Sequence, residues 1–125
     1  MRLRAFEEKT GVNARDCFSI EDDIVFVVNE GEAGKAVGKN GLNIRPLRNI
    51  FEKNVSVVEF SQDVNRFIKN LFYPGNITKI RQGDGSIKVW IDQKDKPAVF
   101  SNGARKVKVA SVISERYLDK KIVVG

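Results

Sequence analysis

Residues 34–45 read GKAVGKNGLNIR. Three glycines fall within these twelve residues, and two of them, Gly38 and Gly41, frame Lys39 and Asn40. Upstream, GEAGKAV reads as a short helix weakened by its glycines. Downstream, Ile44, Leu47 and Phe51 are spaced three and four apart, as on one face of a helix. Pro46 is tolerated only in a first turn, so that helix is predicted to begin just before Ile44. GKNG is then a tight connection between two helices. Glycine at both ends lets the backbone take φ > 0 and removes the Cβ that would keep another chain away. The helix after it offers unpaired N–H groups and a positive dipole end, a setting that binds phosphate. Lys39 adds a point charge and Asn40 a neutral donor. A bare G-x-x-G is also an ordinary helix–helix turn, so its surroundings must decide between the two readings.

Those surroundings repeat. Residues 24–47, IVFVVNEGEAGKAVGKNGLNIRPL, align without a gap on residues 87–110, IKVWIDQKDKPAVFSNGARKVKVA, at an offset of 63. Ile24, Phe26 and Val28 fall on Ile87, Val89 and Ile91, and Ile44-Arg45 falls on Val107-Lys108. In the first copy RAFEEKT is predicted as a short helix, CFSI and DIVFVV as strands joined by a turn at residues 21–23, and VSVVEF as a closing strand. Ile24, Phe26 and Val28 alternate there with Val25 and Val27. In the second copy DVNRFIKNLF is helical, YPGN is a turn, and ITKIRQ and SIKVWI are strands around QGDG. KPAVF is a short helix, ARKVKVASVISERYL a long one and KIVV a last strand. The unit is α-β-β-α-α-β, twice over. This predicts an α+β protein of two domains, 1–62 and 63–125, each with three strands backed by helices on one face. The copies join near residues 61–63.

The composition narrows the function. The chain has 125 residues, 42% hydrophobic and 30% charged, as expected of a soluble folded protein. No apolar run approaches the ~20 residues of a membrane span. MRLRAFEEKT has no apolar core of a secretory signal. A cytoplasmic location without membrane contact is therefore expected. Histidine is absent and Cys17 is the only cysteine. Cys/His zinc sites and Ser-His-Asp or Cys-His catalytic pairs cannot be built within one such chain. No enzyme activity, cofactor, metal or small-molecule substrate is expected. The net charge is +6, unevenly spread: residues 1–62 carry 9 Lys/Arg against 10 Asp/Glu, and residues 63–125 carry 13 against 6. A basic second half fits a polyanion partner, although a basic surface can also serve solubility alone.

A G-x-x-G loop between two helices of a duplicated α+β unit resembles the KH domain of type II, which carries its extra helix and strand N-terminal to the core. FEEKTGVNARDCF, DDIVFVVNEGEAGKAVGKNGLNIRPL and NVSVVEFSQDVNRFIKNLF look like the stand-alone archaeal NusA family of transcription factors, two KH domains in tandem with little else. The resemblance spans the chain and is strongest over residues 6–72. It implies that Gly38, Lys39, Asn40 and Gly41 grip the backbone of about four nucleotides of single-stranded RNA beside an apolar groove. Ala36, Val37, Ile44 and Leu47 match apolar positions beside the loop; for Ile44 and Leu47 core packing comes ahead of base contact. Arg45 and Arg48, one helical turn apart, are placed either to reach a phosphate or simply to solvate a helix face.

The second copy departs from this pattern. Residues 101–104 are Ser-Asn-Gly-Ala, so both framing glycines are gone, and Ala104 would take φ > 0 only at a cost of about 1 kcal/mol or more. Arg105, Lys106 and Lys108 follow at once. Either this basic helix start still binds RNA, charge replacing loop geometry, or the second unit is a rigid support with a protein-binding face. Trp90, Tyr117 and Cys17 are expected in the core. The function that follows is RNA binding during transcription, acting on elongation, termination or antitermination, with RNA polymerase as a further partner. The alternative is an adaptor that docks on RNA polymerase or a ribosomal particle, for which RNA contact is secondary.

Overall fold

Residues 23–28 and 86–91 form the middle strands of two separate three-stranded sheets. The structure, a computed structural model, describes residues 2–125. The chain divides into two compact units, one ending at Ser61 and the other running from Gln62 to Gly125. The first holds α1 (Arg2–Thr10), β1 (Ala14–Ile20), β2 (Asp23–Val28), α2 (Ala33–Val37), α3 (Arg45–Phe51) and β3 (Asn54–Glu59). The second holds α4 (Val64–Phe72), β4 (Ile77–Gln82), β5 (Ser86–Ile91), α5 (Lys96–Leu118) and β6 (Lys121–Val124). Each sheet pairs its first two strands antiparallel and its last two parallel. The protein is thus α+β in both halves. The repeat extends to irregularities: the ladder slips between Ala14 and Asp16 in one sheet and between Ile77 and Lys79 in the other, positions 63 apart. A bulge that returns at the same place re-aims the first strand alike in both units.

The first core lies on the helical face of its sheet. Ile24, Phe26 and Val28 of β2 meet Phe6 of α1, Ala36 of α2, Ile44 and Leu47, and Val55 of β3. The Phe6 ring stacks on Phe26 at 4.2 Å, and the Phe51 ring lies tilted to that of Phe26 at 6.4 Å. Val25 and Val27, which point to the opposite face, are buried as well, so β2 reads as a continuous apolar run rather than a half-exposed strand. β1 starts at Ala14, three residues before the predicted CFSI. Cys17 lies within it, half-buried against the core.

In the second unit α4 opens on Asp63, whose carboxylate accepts from the Arg66 N–H at 3.3 Å, an N-cap. Its apolar residues Phe67, Ile68, Leu71 and Phe72 are buried, and α4 packs on α5 and β4. The YPGN turn contains a cis Tyr73–Pro74 bond. The predicted short and long helices are the two arms of α5, broken by non-helical residues 101–104. Tyr117 is half-buried, edge-on to Phe67 at 5.4 Å. Trp90 differs from expectation. It lies on the face of β5 opposite buried Ile87, Val89 and Ile91, and it is only partly covered. The alternating strand pattern marks one face apolar, and Trp90 belongs to the other.

Candidate nucleic-acid interface

The loop between α2 and α3 is shaped by its glycines and by Asn43. Gly38 has φ 77° and ψ 167°, a region open essentially to glycine alone. A Cβ there would also lie 2.8 Å from the Asn43 side chain. Asn43 closes the loop twice: its Nδ2 donates to the Lys35 carbonyl at 2.9 Å, and its N–H to the Val37 carbonyl at 3.1 Å. Lys39–Gly41 make one 3-10 turn. Asn40 takes the left-handed conformation that Asn tolerates, and Gly41 follows at φ 75°. The Gly41 and Leu42 N–H groups are used inside the turn, donating to the Gly38 and Lys39 carbonyls at 3.1 and 3.0 Å. Among the described residues the N–H groups of Lys39 and Asn40 have no backbone acceptor. Both residues are exposed at the tip.

α3 begins at Arg45, not before Ile44, and residues 42–44 form a turn. The bond from Asn43 to Val37 folds the chain back before the helix can start. The open donors at the tip therefore belong to the 3-10 turn rather than to α3. Arg45 is exposed and folds over the loop, donating from its guanidinium to the Asn40 carbonyl. Lys39 and Arg45 are thus two exposed cationic residues at this loop, with the Arg45 guanidinium on the Asn40 carbonyl. Arg48 turns the other way and donates to the Val55 carbonyl of β3 at 3.4 Å. Ile44 is 2% exposed and Leu47 fully buried, so both side chains serve the core, as does Ala36. Val37 is half-buried. The apolar side chain open to a ligand beside the tip is Leu42, 68% exposed. Nothing in the motif singled out Leu42 or Asn43. Leu42 does lie off the Ile44–Leu47–Phe51 stripe, the signal that would have found it.

The second loop keeps part of this shape with different residues. Gly103 (φ 69°) and Ala104 (φ 60°) are left-handed, like Asn40 and Gly41 at the equivalent positions. Ser101, in the place of Gly38, has φ −67° and ψ 160°, ordinary extended backbone. Asn102 (φ 53°) is left-handed too, as Asn tolerates, and the strain falls on Ala104. Lys108, equivalent to Arg45, reaches back over its loop as well: its ammonium would be 4.0 Å from a Cβ on Gly103. Arg105 and Lys106 are half-buried at the start of the second arm of α5, and Lys108 is exposed. Among the described residues no group of His, Cys, Asp and Glu side chains could hold a metal ion. Nor is any described helix long and apolar enough to cross a membrane.

No protein-family model matches the chain. Curated relatives do. The probable transcription termination protein NusA of Methanocaldococcus jannaschii is 31% identical over 121 residues, covering 94% of this chain and 66% of its own length. The protein of the same name from Halococcus morrhuae is 26% identical over 94% of this chain and 86% of its own. That of Methanococcus vannielii is 45% identical over 74 residues, 59% of this chain and 43% of its own length. Against the first two of these in identity, from M. vannielii and M. jannaschii, the match spans less than two thirds of the relative. Among solved structures, the crystal structure of APE1850 superposes with a TM-score of 0.82 at 34% identity, over 99% of this chain and 95% of that one. The identity to the M. jannaschii protein runs through both copies of the repeat, and the chain belongs to the archaeal NusA family.

Proposed function

We propose that the chain is a single-stranded RNA-binding factor acting in transcription termination or antitermination, built of two tandem type II KH units. The observation that carries this reading is the loop tip, where the N–H groups of Lys39 and Asn40 stand open beside the Lys39 and Arg45 cations. A phosphate there accepts from main-chain donors already held in place by Gly38 and Asn43, so little ordering is needed on binding. Leu42 and the half-buried Val37 offer apolar surface to an adjoining base. Phosphate contacts set the affinity and base-edge contacts give a modest sequence preference. One loop holds few nucleotides. The second loop, with its left-handed pair and Lys108 in the place of Arg45, supports a second and weaker hold. Two sites on one chain raise each other's effective concentration.

The names of the relatives support a role in termination; nascent RNA and RNA polymerase, met in the cytoplasm, are the partners that this reading takes. The test is binding of short unstructured RNAs at two salt concentrations. Lys39→Asp/Asn40→Asp weakens binding by about ten-fold or more, through lost cation contacts and repulsion at the tip. Charge reversal at Arg105, Lys106 and Lys108 gives a smaller loss if the second loop takes part. Unchanged affinity in the Lys39/Asn40 variant would remove the loop from the interface.

A further inference from the structure

The repeat assigns opposite chemistry to one sheet face in its two copies. In the first unit Val25 and Val27 point away from the helices, and both are buried. Their equivalents at an offset of 63 are Lys88 and Trp90, partly exposed on the corresponding face of β5. β4 adds to that face: Lys79 is directly opposite Trp90 and Arg81 opposite Lys88 in the ladder. On the other side β6 brings Lys121, opposite Ser86, and the exposed Val123, opposite Lys88. The ammonium groups of Lys79 and Lys88 lie 4.9 and 5.1 Å from the centre of the indole, and the Arg81 guanidinium lies 5.8 Å from it. Gly125 packs so closely on the ring that a Cβ there would fall 2.6 Å from Nε1. The indole thus packs against the Gly125 backbone, in a field of cations. Neither β4, β5 nor β6 contributes an acidic residue to this face.

We propose that this face of the β4–β5–β6 sheet is a second RNA-binding surface, in which a base stacks on Trp90 and the flanking phosphates are held by Lys79, Arg81, Lys88 and Lys121. Four cations and one aromatic ring are the elements of sequence-tolerant single-strand binding: a positive track for the backbone and a π-face for a base. The cations now over the ring are in weak surface contacts with it. A base that displaces one of them frees its charge for the adjoining phosphate, so both groups gain. Lys121 and Trp90 are separated along the strands by four residues, about 13 Å, a span that two nucleotides cover. The surface is distinct from both helix–helix loops. It rests on the RNA-binding reading above only in the choice of RNA as the polyanion.

Trp90 is the only tryptophan, so its emission reports this face and no other. The experiment titrates hexauridylate into the whole chain, following indole fluorescence and, with a labelled hexamer, anisotropy. The proposal predicts saturable quenching that weakens with added salt and persists in the Lys39→Asp/Asn40→Asp variant. Lys79→Glu/Lys88→Glu, at partly or fully exposed positions and checked for native circular dichroism, is expected to weaken that quenching about ten-fold, and Trp90→Ala to lower affinity several-fold. Anisotropy that reports binding while the indole emission stays unchanged would overturn the proposal and leave the loop interface standing. Quenching retained with no effect of the Lys39/Asn40 variant on anisotropy would support this face and remove the loop instead. Absence of binding by both readouts would overturn both.

Discussion

Gly38 and Ser101 occupy the same place in the two units, and their backbones explain why one is glycine and the other is not. Gly38 sits at φ 77°, ψ 167° with Asn43 against it, whereas Ser101 sits in extended backbone. Ala104 is the reverse case, a Cβ at φ 60°. Ala104→Gly relieves left-handed strain of about 1–2 kcal/mol and gives back about 0.4–1 kcal/mol through the freer unfolded chain. A net stabilisation of up to about 1.6 kcal/mol is expected, read as a higher urea midpoint at constant slope; a lower midpoint would contradict the strain. Cys17 gives a pH-dependent case. Burial pushes its thiol above the ordinary range, with Arg2 opposing and Asp16 adding to the shift. A raised value means the folded state favours the neutral thiol. The associated stability is therefore full below the unfolded thiol's ionisation, about pH 8.5, and is lost as pH rises through the folded value. The alkylation rate plotted against pH should have its midpoint higher in the native protein than in urea, and an equal or lower midpoint would refute it. Gly38, Lys39, Asn40 and Gly41 were legible as a loop because glycine punctuates chains strongly. Asn43 was not, because its role is a contact with Lys35 and Val37 across the loop.

α3 has seven residues, too few to hold a helix by its own hydrogen bonds. Its place, and with it the far end of the loop, depends on Ile44 and Leu47 packing beneath it against β2 and β3. Leu47→Ala removes a fully buried side chain and should cost roughly 2–5 kcal/mol, measured by denaturant unfolding; a cost below about 1 kcal/mol would mean that α3 is anchored elsewhere. Nearly every strand and helix was readable from spacing. The start of α3 was not, since the bond from Asn43 to Val37 delays it. Nor was the environment of Trp90. A single aromatic in an alternating strand reads as core, and two of the cations around it, Lys79 and Arg81, come from the neighbouring strand through ladder register, which sequence spacing does not reveal.

The molecule repeats one supersecondary unit down to the position of its bulge, and spends the two copies differently. The first has the glycine-framed loop and a near-neutral charge; the second has a strained loop and most of the positive charge. Charge held mainly by one half predicts steep salt dependence of RNA affinity, while the shaped donors of the first loop predict a binding site that is local. The duplication was legible because apolar positions recur at a fixed offset even where identity is low. Whether a loop presents open donors depends on dihedral angles, and only the structure gives those. The amide nitrogens and protons of Lys39 and Asn40 are therefore the direct probes. In a ¹⁵N-labelled sample titrated with a short single-stranded RNA, these two N–H resonances should move downfield, and further than those of Gly41 and Leu42, whose N–H groups are already bonded within the turn. RNA that binds while both resonances stay in place would contradict the account.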